Sequence, residues 1–324
     1  MAHGGLTVAG LCAMLVFMSS QAASAPQEIQ IDASPLRFNP LVGADETERR
    51  LRWIGGLELR SNAGGFGGFS GLIVSPDGHR LTAVTDRGDW LTAKIVYAPS
   101  GEPMGLSSAL MGGLRDLSGL PIEGRFGVDA EALAAATQGG ILVAFEGVHR
   151  IWQYPDGLSE TPEELSGVPL RIKGSRNRGI EALAVLADGR LIAIREGGPA
   201  SGNSKAYLFD GSNWISVTYA TGDGLRPTGA DRLPSGEILV LERSYSQLSG
   251  FTTRLRGLEP AQFFPGAVLR PREIVKFGLT ASLYNLEGLA VHSGPSDQVR
   301  IMLISDDNFH MLLPTVILMF EWID

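Results

Sequence analysis

The feature that most constrains this 324-residue chain is a motif that occurs five times. Each copy has a Ser, Thr or Glu, a short apolar run, a turn containing Gly, a second apolar run, and a closing acid or Arg. The copies open at Ser70, Glu131, Glu181, Thr228 and Glu287 and close at Asp86, Glu146, Glu196, Arg243 and Asp306. Self-similarity at a spacing of about 50 residues indicates an array of repeated structural units.

Each copy predicts a β-hairpin. In the third copy, residues 183–186 and 191–194 are apolar runs, and they flank a turn at Asp188 and Gly189. Short apolar runs bounded by Gly and Asp are typical of strands buried on both faces. Two more strands are predicted after this hairpin, at residues 205–210 and 214–219. Four strands in about 50 residues form one blade of a β-propeller, so the predicted fold class is all-β.

The end of the chain decides the number of blades. The last copy provides only its hairpin and one further strand, at residues 315–322, and an unmatched strand-like stretch at residues 51–60 precedes the first copy. Pairing the two would complete the last blade and leave no open sheet edge. We therefore expect five four-stranded blades. The alternative is six blades, with the sixth built from residues 27–60.

The amino terminus predicts export. Residues 6–18 form an apolar core that is too short to span a membrane, and small residues follow it, which is typical of a secretory signal peptide. We expect residues 1–25 to be the signal, with cleavage after Ala25 or Ala22, and residues 26–324 to form one propeller domain in the periplasm or outside the cell. An uncleaved anchor is the alternative reading.

Composition excludes several classes of function. Cys12 is the only cysteine and lies in the predicted signal, so the mature chain would have neither disulfides nor thiolate metal sites. The formal net charge of −8 disfavours nucleic-acid binding. We expect a monomer that acts on a small-molecule substrate. After signal cleavage, we expect it not to be stably inserted in a membrane.

The hairpin geometry places the recurring polar residues together. The first strand of a hairpin begins beside the end of the second, and every blade of a propeller points its innermost strand the same way. The opening residues should therefore form an inner ring at one mouth of the central channel, and the closing residues a second ring beside it. Their immediate neighbours in the sequence are Arg87, Asp129, Arg195, Glu242, Asp307 and Asn308.

So many acids at one mouth repel each other unless they are compensated. A divalent cation, with Ca²⁺ as the expected ion, suits a site that offers only oxygen ligands. The expected metal ligands are Glu131, Glu181, Glu287, Asp306, Asp86 and Asp307. Glu146 and Glu196 are candidates for ligand or general base, and Arg87, Arg195 and Arg243 could orient an anion. Alternatively, each acid could accept hydrogen bonds from backbone amides and fix blade geometry.

Several motifs together resemble one known family. They are Phe66-Gly-Gly-Phe-Ser-Gly-Leu72, Thr85-Asp-Arg-Gly88, Val128-Asp-Ala-Glu-Ala-Leu133, Arg178-Gly-Ile-Glu-Ala-Leu183, Leu241-Glu-Arg243, Asn285-Leu-Glu-Gly-Leu289 and Ile304-Ser-Asp-Asp-Asn-Phe309. In this order they look like the bacterial phytase-like family with esterase-like activity, over roughly residues 50–324.

The resemblance implies an exported propeller with phosphoesterase or other ester-hydrolase activity. The chain has few Lys or Arg at the rings, so a phosphate would have to be held through bound cations. A lactonase-type propeller, in which Asn308 would matter more, and a non-catalytic binding propeller are the alternatives.

Overall fold

A computed structural model describes residues 25–46, 50–122, 124, 127–168, 178–197, 202–310 and 312–323. Almost all of the predicted signal peptide therefore lies outside the described residues. Within them, no helix is long and apolar enough to cross a membrane. Two single-turn 3₁₀ helices occur, at Pro260–Gln262 and Leu279–Ala281.

All other regular structure in the described ranges consists of 24 β-strands. In chain order they are β1 (Gln27–Ile29), β2 (Asp32–Pro35), β3 (Asp45–Glu46), β4 (Leu51–Arg60), β5 (Phe69–Val74), β6 (Arg80–Thr85), β7 (Asp89–Tyr97), β8 (Pro103–Gly113), β9 (Ala130–Ala135), β10 (Ile141–Phe145), β11 (Arg150–Tyr154), β12 (Glu163–Glu164), β13 (Ile180–Val185), β14 (Leu191–Arg195), β15 (Ser204–Phe209), β16 (Trp214–Tyr219), β17 (Arg226–Arg232), β18 (Ile238–Ser246), β19 (Gly250–Leu258), β20 (Val268–Leu269), β21 (Arg272–Lys276), β22 (Asn285–Ser293), β23 (Val299–Asp306) and β24 (Thr315–Trp322).

The strands form five sheets, which are the blades of a propeller. From the centre outwards, blade 1 is β5-β6-β7-β8-β1, blade 2 is β9-β10-β11-β12, blade 3 is β13-β14-β15-β16-β20, blade 4 is β17-β18-β19-β21-β3, and blade 5 is β22-β23-β24-β4-β2. The innermost strands contact one another in a closed circuit that runs β5, β9, β13, β17, β22 and back to β5. The predicted five-bladed propeller is confirmed.

The blades are larger than the predicted four strands. Four of the five sheets carry a fifth, outermost strand. The amino-terminal segment supplies three of these, since β1, β2 and β3 join blades 1, 5 and 4 respectively. The fourth is β20, which pairs in parallel with β16 of blade 3. Strands of two to four residues at a sheet edge have no hydrophobic periodicity, so the sequence pattern did not predict them.

Blade 5 closes the propeller as predicted. Its strand β4 pairs antiparallel with β24, from Leu51 opposite Trp322 to Leu59 opposite Thr315. Leu57 is fully buried and packs in the cluster between blade 5 and blade 1. Residues 27–60 are thus shared among three blades, and the six-blade alternative is wrong.

The apolar core lies between the blades. Five buried clusters occur in the described residues, one between each pair of neighbouring blades. In β14, for example, Leu191 and Ala193 pack towards blade 2, whereas Ile192 and Ile194 pack towards blade 4. A strand with both faces buried has to be apolar at every position, which explains the continuous apolar runs of the repeats.

Each innermost strand carries a β-bulge at its opening residue. The register against the second strand shifts at Ser70, Glu131, Glu181, Thr228 and Glu287. A bulged residue is unpaired, and a bulge re-aims the side chains around it. The five repeats therefore use the same backbone irregularity at the residue that faces the channel mouth.

Candidate functional site

The mouth of the channel has three polar positions per blade rather than the two that the sequence predicted. The third position lies opposite the closing residue. Its occupants in blades 1 to 5 are Gly68, Asp129, Gly179, Arg226 and Asn285. In blade 2, for example, the Glu146 backbone N–H donates to the Asp129 carbonyl at 2.7 Å. This set was not predicted from the sequence because two of its members are glycines.

In four blades, the third position supplies a hydrogen-bond donor to a carboxylate. The Gly179 N–H donates to Glu146 Oε1 at 2.5 Å, and the Gly68 N–H donates to Asp307 Oδ1 at 2.9 Å. Arg226 forms an ion pair with Glu196. The Asn285 amide donates to two carboxylates, Glu287 at 2.8 Å and Asp306 at 3.0 Å. These donors compensate part of the negative charge of the mouth.

Blade 2 is the exception, because its third position is another acid. Asp129, Glu131 and Glu146 each place one carboxylate oxygen within 4.8 Å of the other two. Three carboxylates at this separation suit a cation that binds oxygen ligands. Two of the three, Glu131 and Glu146, were predicted as site residues, and Asp129 was predicted only as a neighbour.

Burial and mutual repulsion raise the pKa of several mouth carboxyls. Burial is the largest cause and the charges of nearby acids are the next: together they raise the pKa of Glu131 and of Glu181 well above the ordinary range. The same causes raise the pKa of Glu146 to about 7, of Asp306 to about 8 and of Asp86 to about 6. Without a bound cation, each of these carboxyls therefore stays protonated up to its raised pKa, at pH values where an ordinary carboxyl has already released its proton.

The three predicted anion-binding arginines differ in whether their guanidinium groups are already bound by other protein groups. Arg243 forms an ion pair with Glu287. The guanidinium of Arg195 donates to the Arg178 carbonyl at 2.7 and 3.2 Å. Arg87, in contrast, is exposed and lies 3.4 Å from the centre of the Phe309 ring. Within the described residues, its guanidinium makes no ion pair, so it is the most accessible positive charge of the three.

Some predicted mouth residues hold the backbone together. The Ser70 hydroxyl donates to the Ala130 carbonyl of the next blade at 2.6 Å. Thr228 makes the equivalent but longer contact to the Leu286 carbonyl, at 3.4 Å. Both hydroxyls therefore join neighbouring blades.

Asp307 and Glu242 are also well satisfied. Asp307 accepts hydrogen bonds from the Gly68 and Phe309 backbones and from the Thr315 hydroxyl. Glu242 is fully buried between blades 3 and 4, where Arg254 and the Tyr219 hydroxyl bind its carboxylate. Glu242 thus belongs to a blade interface, although its neighbour Arg243 belongs to the mouth.

Two buried oxygens at the mouth have no hydrogen-bond donor among the described residues. They are Oδ1 of Asp86 and Oδ1 of Asn285. Buried polar atoms are nearly always paired with protein, water or an ion. A bound cation or water fits the donor set at this side of the mouth, which consists of carboxylate and amide oxygens.

The channel below the rings is nearly filled. Glycine or alanine follows the opening residue in every blade, and the cavity along the axis measures about 10 Å³. The Gly229 position shows how close the inner strands come, since a Cβ there would lie 2.6 Å from the Glu287 carbonyl. A ligand can therefore reach the carboxylates only from the outer face of the mouth.

Fold and mouth together define a five-bladed propeller with one acidic, closed-bottomed site. A family model described as phytase-like, "Esterase-like activity of phytase", matches residues 64–309. The chain belongs to this phytase-like family. The match includes every blade-opening residue and the whole of the acidic mouth.

Several solved structures are similar to the chain over most of its length. A candidate gluconolactonase has a TM-score of 0.42 and 13% identity, with 94% of each chain covered. A protein of unknown function from Dyadobacter fermentans has a TM-score of 0.45 and 14% identity, covering 94% of this chain and 95% of that one. A luciferin-regenerating enzyme has a TM-score of 0.43 and 11% identity, with coverages of 90% and 98%. No curated protein matches the chain.

Proposed function

We propose that this protein is an exported hydrolase of small-molecule esters that works with a divalent cation, Ca²⁺, at the acidic mouth. The observation that supports this most directly is the carboxylate trio Asp129, Glu131 and Glu146. Four blades place a hydrogen-bond donor at the third position, which in blades 1, 3 and 4 binds an acid of the preceding blade, whereas blade 2 places an acid there instead. That excess of negative charge is what a cation would neutralise.

The mouth residues divide naturally into roles. Asp129, Glu131 and Glu146 would hold the cation, which when bound polarises the oxygen of the scissile ester. Glu181, on the neighbouring inner strand, would add a further carboxylate ligand to the cation, and Glu196 would take the proton of the attacking water. Arg87 would meet an anionic group of the substrate.

The polar residues of blade 5 would orient the carboxylates around the trio and would not themselves bind the cation. The Asn285 amide fixes the carboxylates of Glu287 and Asp306 relative to each other. Arg226 fixes Glu196 in the same way on the other side of the mouth. These residues would shape the site around the substrate and keep its acids apart.

Substrate charge can be argued from the arginines. Arg226 and Arg243 are already in ion pairs, and Arg195 is bound to a carbonyl. A multiply charged phosphate would meet mostly carboxylates, which repel it. A neutral or singly charged carboxylic ester fits this balance better. A lactone is a cyclic ester of the same class, so the lactonase alternative is included in the proposal.

Turnover measurements with matched variants test this function. We would assay p-nitrophenyl butyrate, γ-butyrolactone and p-nitrophenyl phosphate with Ca²⁺ and with a chelator. Glu131→Gln should lower kcat/KM on the ester at least 100-fold, whereas Glu163→Gln, an exposed acid at the outer edge of the same blade, should leave it unchanged. Absence of calcium-dependent turnover on all three substrates would reject the hydrolase and leave a binding propeller.

A further inference from the structure

A groove lies beside the acidic mouth, on the same face of the propeller. It is bounded by the residues that follow β4 and by the loop from β23 to β24, and its volume is about 620 Å³. That volume is in the range of small-molecule sites. Polar and apolar side chains share its lining, and Phe66, Phe309, Leu312 and Leu313 form its apolar part.

Strand topology fixes the position of the groove relative to the carboxylates. Strand β23 ends at Asp306, which is a mouth residue, and the next residue, Asp307, lines the groove. Strand β24 begins at Thr315, and β4 runs antiparallel to it with Leu59 opposite Thr315. All three chain segments therefore meet at the mouth end of blade 5, next to blade 1.

Phe309 stands between the groove and the mouth in an unusual conformation. Its φ is +48° and that of Asn308 is +50°, which is rare for a bulky residue. Asp307 holds the conformation, since its carboxylate accepts from the Phe309 N–H at 2.9 Å and from the Thr315 hydroxyl at 2.8 Å. Backbone strain of this kind persists where the surroundings over-determine it, often at ligand sites.

The glycine pair before β5 makes room for this arrangement. A Cβ at Gly68 would lie 2.2 Å from the Phe309 ring, and one at Gly67 would lie 2.7 Å from the Asp307 carboxylate. The Arg87 guanidinium lies over the Phe309 ring, 3.4 Å from the ring centre. The groove, the Phe309 ring at its wall and the exposed Arg87 guanidinium are therefore adjacent parts of one site.

We propose that this groove binds the apolar part of the ester substrate, a medium-length acyl chain or an aryl group. Phe309 forms the wall that separates this part from the reacting ester bond at the carboxylates. The proposal names a substrate class for the function proposed above and rests on it only for turnover. Binding of an apolar ligand in the groove does not depend on hydrolysis.

Charge supports an apolar ligand over a phosphorylated one. Arg60, at the groove edge, is paired with Glu58. Leu312 is 82% exposed and Leu313 is half-buried, so the groove presents apolar surface that is otherwise left in water. Covering that surface with an acyl or aryl group is favourable in proportion to the area removed from water.

Two exposed leucines provide a matched pair of variants. Leu312 lies in the groove and is 82% exposed, whereas Leu279 lies outside it, in the 3₁₀ helix Leu279–Ala281, and is 83% exposed. Neither side chain is in the core, so Leu312→Asp and Leu279→Asp should both fold. Circular dichroism and melting curves would establish this for each variant.

The first measurement uses binding alone. The fluorescent probe 1-anilinonaphthalene-8-sulfonate is aromatic and anionic, so it matches both the groove and Arg87. We expect saturable binding that octanoate displaces, weakened at least tenfold by Leu312→Asp and unchanged by Leu279→Asp. Equal effects of the two variants, or no binding to the wild type, would overturn the groove assignment whatever the outcome of the hydrolysis assays.

The second measurement uses turnover. Wild type should have at least tenfold higher kcat/KM on p-nitrophenyl octanoate than on p-nitrophenyl acetate, and Leu312→Asp should abolish that preference through KM. Loss of preference with the acetate rate retained supports the groove. A preference that survives Leu312→Asp refutes it, although the hydrolase would then stand.

Discussion

Ionisation of Glu146 should destabilise the metal-free protein, and Glu146→Gln isolates that effect. The glutamine keeps the Oε1 acceptor for the Gly179 N–H, which donates at 2.5 Å, and removes only the charge. Glu146 is 8% exposed, so solvent screens its charge weakly. The variant therefore tests how strongly the acidic mouth opposes ionisation.

The raised pKa of Glu146 gives both the sign and the size of the change in the free energy of unfolding with pH. Burial, opposed in part by the Gly179 hydrogen bond, raises the pKa of Glu146 from its ordinary value of 4.5 to about 7. Below pH 4.5, the carboxyl is protonated in both the folded and the unfolded chain, and the protein has its full stability. Between pH 4.5 and 7, the unfolded chain releases the proton and the folded protein keeps it, so the free energy of unfolding falls as the pH rises. The full effect corresponds to about 3 kcal/mol.

Urea unfolding with a chelator, at pH 4 and at pH 8.5, measures the effect. The carboxyls away from the mouth titrate alike in both proteins, so the comparison with wild type measures Glu146 together with its effect on Glu131 and Glu181. Relative to wild type, Glu146→Gln should gain about 2–3 kcal/mol between the two pH values. Glu163→Gln, which is exposed, should show no such change. A difference between Glu146→Gln and wild type that does not vary with pH would refute the reasoning.

Three further predictions concern the cation, the closure and the amino terminus. Ca²⁺ should stabilise the wild type by about 2.7 kcal/mol at 100 times its dissociation constant, and Glu181→Gln and Glu131→Gln should each lose most of that gain; melting curves with calcium and with chelator measure it. Leu57→Ala, in the fully buried closure between blades 5 and 1, should cost about 2–5 kcal/mol in urea unfolding, whereas Leu110→Ala, on a partly exposed outer strand, should cost much less. Mass spectrometry of the protein from its native host should find a start between Ala23 and Gln27, and an intact Met1 chain in the cytosol would contradict export.

The fold could be predicted because each repeat carries its own complete signal. Apolar runs with a glycine turn define the two innermost strands of every blade, and the missing strand of the last blade identified β4 as the closing strand. The short outer strands β1, β2, β3 and β20 could not be predicted, because two to four residues at an edge contain no period. Tertiary pairing, not local pattern, makes them strands.

The site could be predicted in part. The acids at the opening and closing positions were identified because they recur, and the structure brings them to one mouth. The donors that face them were not identified, because a glycine N–H, the arginine Arg226 and the amide Asn285 share no residue type. Asp129 lies two residues before Glu131, and Asn285 lies two residues before Glu287. That repeated offset was the available signal. The Phe309 wall depends on positive φ values in its loop, which no periodicity indicates.

The pairing of β4 with β24 also dictates the order in which the molecule can be completed. Leu51 pairs with Trp322, so a strand made early in synthesis waits for one made about 270 residues later. Contacts this distant in sequence are slow to form, because the loop-closure entropy must be overcome before they stabilise the fold. Until then, β4 lacks its partner strand on the side that β24 covers. Blade 5 is therefore completed only when β24 has been made, and a chain without Thr315–Trp322 would leave β4 without the strand that joins it to β23.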